Sequence, residues 1–69
     1  MESFEIQHLA NRFNVEPQEN GTFRIMEGEE KIGVIYPEPG EDGVTWQTMD
    51  DLDQGFVNQL GELISEHNL

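Results

Sequence analysis

The side chains able to do chemistry are few in this sequence and nearly all of one kind. Fifteen residues are Asp or Glu, against three Lys or Arg, two His and no Cys. Most of the acids lie between Glu27 and Asp53, concentrated in Glu27-Gly28-Glu29-Glu30 and Asp50-Asp51-Leu52-Asp53. If those segments share one end of a sheet, Glu27, Glu29, Glu30, Asp50, Asp51 and Asp53 form a spaced row of negative charge. Such a row resembles the outline of a phosphate backbone and would attract a nucleic-acid-binding protein. The same acids also suit turns that need only be solvated.

Carboxylates are hard oxygen ligands of the kind Ca²⁺ takes, but the spacing is wrong for it. Neither Asp50–Asp53 nor Glu38, Glu41 and Asp42 supply the alternating ligands, central Gly and terminal Glu of a calcium loop. No metal or cofactor is expected, and helix capping is the fitting role for the aspartates, with Asp50 or Asp51 as cap. His8 and His67 have no second His or Cys at ligand spacing and read as structural. Without Cys, and with serines only at Ser3 and Ser65, no nucleophile, base and orienting acid can be assembled. Two-carboxylate catalysis would need a buried acid, and each acid lies in a turn or on a polar face. The chain reads as a non-enzyme.

Charge excludes further classes. The formal net charge is -12, and Arg12, Arg24 and Lys31 are the whole supply of cations for displacing counterions from nucleic acid. Direct nucleic-acid binding and adsorption to anionic membranes are both disfavoured, and no apolar run approaches the length of a spanning helix. The acidic start Met1-Glu2-Ser3-Phe4-Glu5 lacks the basic region of a secretory signal, so a cytoplasmic location is expected.

The elements that must position these groups belong to one domain, residues 1–69. A chain this small buries only about 60% of the surface it exposes when unfolded. Residues 3–13 place Ile6, Leu9, Ala10 and Phe13 at helical spacing, which predicts an amphipathic helix capped by Ser3. Asn20-Gly21 predicts a hairpin turn, and Pro17 limits residues 15–18 to a short edge strand. Alternation then predicts strands over 22–27, 31–36 and 44–49, separated by the Gly28 turn and by a Pro- and Gly-rich break at 37–43. Leu52, Phe56, Leu60, Leu63, Ile64 and His67 predict a C-terminal amphipathic helix, in which Gly55 or Gly61 marks close packing on the sheet.

The fold expected is α+β, ordered αβββα: a three-stranded antiparallel meander, with an optional short fourth edge strand, and N- and C-terminal helices on one face. Phe23, Ile25, Ile32, Val34, Val44 and Trp46 are its expected core strand residues. Met26, Ile35 and Met49 would then form an apolar strip on the uncovered face. No stretch carries a motif whose chemistry transfers from a known family. The sequence therefore reads as a small acidic protein-interaction module, binding a protein partner or a second copy of itself through that strip and the acidic turns. The competing reading is a nucleic-acid mimic that inhibits a nucleic-acid-binding protein.

Overall fold

The computed structural model describes residues 2–67. Five antiparallel strands, β1 (Phe4–His8), β2 (Asn11–Pro17), β3 (Phe23–Glu27), β4 (Glu30–Gly40) and β5 (Gly43–Thr48), follow one another as a meander, and α1 (Gln54–His67) comes last. The sheet curls as a half-barrel around α1, which packs on β1, β4 and β5. This corrects the αβββα expectation: residues 3–13 are not a helix, and five strands replace three.

The N-terminal segment satisfies two periods at once. Ile6 and Phe13 fit a helical stripe, yet Phe4, Ile6, Phe13 and Val15 also fit the alternation of two strands. The strands prevail because their register sets Phe4 opposite Val15 and Ile6 opposite Phe13, and then Val15 opposite Ile25 of β3. Ile6, Phe13 and Val15 are buried this way, while Leu9, expected in a helical stripe, sits exposed in the connecting turn. That turn is Leu9-Ala10, without Gly, Pro or Asn inside it, and Leu9 carries φ 55. Left-handed backbone costs a side-chain-bearing residue about 1–2 kcal/mol. Pro17, expected to confine its strand to an edge, ends an interior strand instead, paired with Phe23. The Asn20-Gly21 turn forms as expected: the Gln18 amide donates to the Thr22 carbonyl at 2.8 Å, and Gly21 takes φ 85.

In β4 the register slips. Ile25 pairs with Gly33 but Met26 pairs with Lys31, so Ile32 is the extra residue of a β-bulge. The bulge inverts the alternation expected for this strand. Ile32 still packs on the core, but beyond it Ile35 is fully buried and Val34 faces outward, the reverse of the expected assignment. Residues 37–40, expected to be irregular, continue β4 as the partner of β5. Pro37 and Pro39 are tolerated because the β3 pairing has already ended at Phe23–Ile35, so this stretch of β4 is an edge with β5 as its single strand neighbour. Val44, expected in the core, is 59% exposed beside the hairpin tip.

The core is one layer between the concave sheet face and α1. Val15, Ile25 and Ile35 meet Val57, Leu60 and Ile64, all fully buried. The helix begins at a cap, but the cap is Asp53 and not Asp50 or Asp51. Its carboxylate accepts the Phe56 amide at 3.1 Å, and its carbonyl accepts the Val57 amide at 3.0 Å. Gly61 is the close-packing glycine: a Cβ there would lie 2.1 Å from Cγ of Trp46. The indole thus lies directly on the helix backbone.

Candidate functional site

Because α1 fills the concave side, the convex face of the sheet has no covering element among the described residues. Alternation sends Arg12 of β2, Arg24 and Met26 of β3, and Lys31, Val34 and Tyr36 of β4 to this face. The entire cation supply of the chain is therefore on one side. Arg24 is held by Glu16, whose Oε1 accepts from Nε at 2.7 Å and lies 2.6 Å from Nη2. Next to this pair is an open depression of about 580 Å³, lined by Arg24, Lys31, Val34, Tyr36 and Met49 together with the Gln18–Thr22 turn. Met49, just past β5, is 91% exposed.

Of the apolar strip expected at Met26, Ile35 and Met49, the structure keeps Met26 and Met49 on the outside and removes Ile35. The bulge puts Ile35 in the core, and Val34 and Tyr36 take its place. Recognising the extra residue at Ile32 would have reassigned them, but a bulge in an otherwise alternating run leaves no compositional mark.

The acidic row is partly assembled. Meander topology puts the β3–β4 turn and the β5–α1 connection at the same end of the sheet, so Glu27, Glu29 and Glu30 share that end with Asp50, Asp51 and Asp53. Two of these carboxylates are engaged in the fold. Asp53 caps α1, and Asp50 Oδ2 accepts the Val34 amide at 2.8 Å. Glu27, Glu29, Glu30 and Asp51 are exposed with no hydrogen bond from their side chains among the described residues.

The histidines serve the β1–α1 seam. His8 bonds through Nε2 to Oε1 of Gln59 and meets the edge of Phe56 at 5.3 Å, while His67 stacks on Phe4 at 3.9 Å. His8 is half-buried by these contacts. Among the described residues, no cluster of three His, Cys, Asp or Glu could hold a metal ion, and no helix is long and apolar enough to cross a membrane. Comparison with family models, curated proteins and solved structures finds no match to this chain.

Proposed function

We infer that this chain is a non-enzymatic protein-binding module that contacts its partner through the convex sheet face. One observation carries the reading: the face opposite α1 gathers Val34, Tyr36 and a 91% exposed Met49 around a depression of about 580 Å³ that Arg24, Lys31 and Asp50 also line, with Met26 on the same face. Apolar side chains grouped on an uncovered sheet mark an interaction surface more often than a solvated one. The partner is a protein or a second copy of the chain, and the three cations are too few to hold nucleic acid directly. The non-enzymatic part rests on the shortage of nucleophiles: no Cys, and serines only at Ser3 and Ser65.

The grouping of Glu27, Glu29, Glu30 and Asp51 at one end of the sheet supports a second reading, mimicry of nucleic acid toward a basic protein. Affinity capture at low and high salt separates the two. A salt-tolerant partner lost with Met49→Glu and Tyr36→Glu supports the sheet face. A salt-sensitive one lost with Glu29→Gln, Glu30→Gln and Asp51→Asn supports mimicry and overturns the sheet-face reading.

A further inference from the structure

Leu9 is the residue whose placement the fold explains least. Its φ of 55 lies in the left-handed region that disfavours a side chain, and that side chain is 83% exposed. Asn or Gly would relieve both penalties. What Leu9 gains instead is a place at the mouth of a groove of about 250 Å³ between the β1–β2 hairpin and α1. Half-buried Leu63 lies in the groove, and Gln59, Glu62 and Glu66 line its helical side. The hairpin is secured to the helix there, because His8 bonds Gln59 and packs on Phe56. Leu9 is thereby presented from a fixed support beside a second leucine and two carboxylates, with no Lys or Arg in the lining.

We propose that this groove docks a basic amphipathic segment of a partner protein, one apolar side chain seated between Leu9 and Leu63 and flanking cations meeting Glu62 and Glu66. The site shares no residue with the convex depression and does not depend on it. A second copy of the chain is the wrong occupant, since each copy carries a net charge of -12 and its few cations lie on the convex face.

The probe is a short Leu/Lys amphipathic helix titrated into ¹⁵N-labelled protein and followed by amide chemical shifts. The expected result is shifts at Leu9, Ala10 and Glu62 to Glu66. Affinity should fall about tenfold for Leu9→Asn, the loss of one buried apolar anchor. Replacing the peptide leucines by serine at equal charge should weaken binding similarly, and Glu41→Gln, exposed beyond the end of β4 and outside the groove, should leave it unchanged. Leu9→Asn relaxes the turn, so its urea curve should show a fully folded variant. Undiminished binding to Leu9→Asn, or shifts spread evenly over the acidic turns, would overturn the proposal.

Discussion

The carboxylate of Asp50 accepts the amide proton of Val34 at 2.8 Å, and Thr48 completes the clamp by donating its hydroxyl to the Val34 carbonyl, also at 2.8 Å. Strand β5 stops at Thr48, opposite Ile35, so Val34 has no ladder partner on that side. Side chains take over from the missing strand. Leu52 then covers Gly33, where a Cβ would stand 2.8 Å from its Cδ1. An acid that reads as surface charge is thus part of the sheet.

Asp50→Ala should cost about 1–2 kcal/mol, the range for a hydrogen bond to a charged acceptor that is partly open to water. Asp51→Ala, one residue away and without such a bond, should fall within about 0.5 kcal/mol of the parent. Urea unfolding followed through Trp46, the single tryptophan, measures both. Equal losses would mean that Asp50 acts only as one more negative charge.

Gly61→Ala should destabilise by about 1–3 kcal/mol or more through overpacking against Trp46, despite the gain of about 1 kcal/mol that Ala brings to a helix interior. The near-ultraviolet circular dichroism of the indole should change with it. Gly55→Ala, whose Cβ would meet only the Asp53 carboxylate at 3.0 Å, should cost less. A stabilised Gly61→Ala protein would show that the helix does not rest on Trp46.

Leu9→Asn should raise stability by about 0.5–1 kcal/mol, because Asn tolerates the left-handed region that Leu9 occupies at φ 55. The urea midpoint should move up with its slope unchanged. A lower midpoint would mean that the exposed leucine packs in solution.

Ile35→Glu and Met49→Glu separate the two faces of the sheet. Ile35 is fully buried, and a charge there lacks any partner, so the variant should fail to fold cooperatively. Met49 is 91% exposed, and its replacement should change stability by no more than about 0.5 kcal/mol. Far-ultraviolet circular dichroism with thermal melts decides it. A folded Ile35→Glu protein would return Ile35 to the outer face.

Much of the chain from Asn20 onward was legible from residue order. Strands at Phe23–Glu27 and Gly43–Thr48, turns at Gly21 and Gly28, the C-terminal helix, and Phe23, Ile25 and Trp46 on the inner side all follow from local alternation and turn chemistry. Glycine in a helix raised the question that Gly61 answers against Trp46. At the candidate surfaces, the outward position of Met26, the exposure of Met49 and the common end of the acidic turns were also within reach of sequence reasoning. Val34, Tyr36 and Arg12 on the convex face were not.

What sequence alone determined was where local chemistry has one answer: punctuation by Gly and Asn, a helix too regular to be a strand, and a net charge of -12. Tertiary structure decided where it has two. Ile6, Leu9, Ala10 and Phe13 fit a helix, whereas Phe4, Ile6, Phe13 and Val15 fit a hairpin whose turn, Leu9-Ala10, bears no turn residue. The hairpin prevails because β3 supplies ladder partners for Val15 and α1 covers the buried face, contacts distant in sequence. The bulge at Ile32 is of the same kind. It is set by fitting β4 simultaneously to β3, β5 and the Asp50–Leu52 segment, and alternation within a single strand cannot register a constraint imposed by its neighbours.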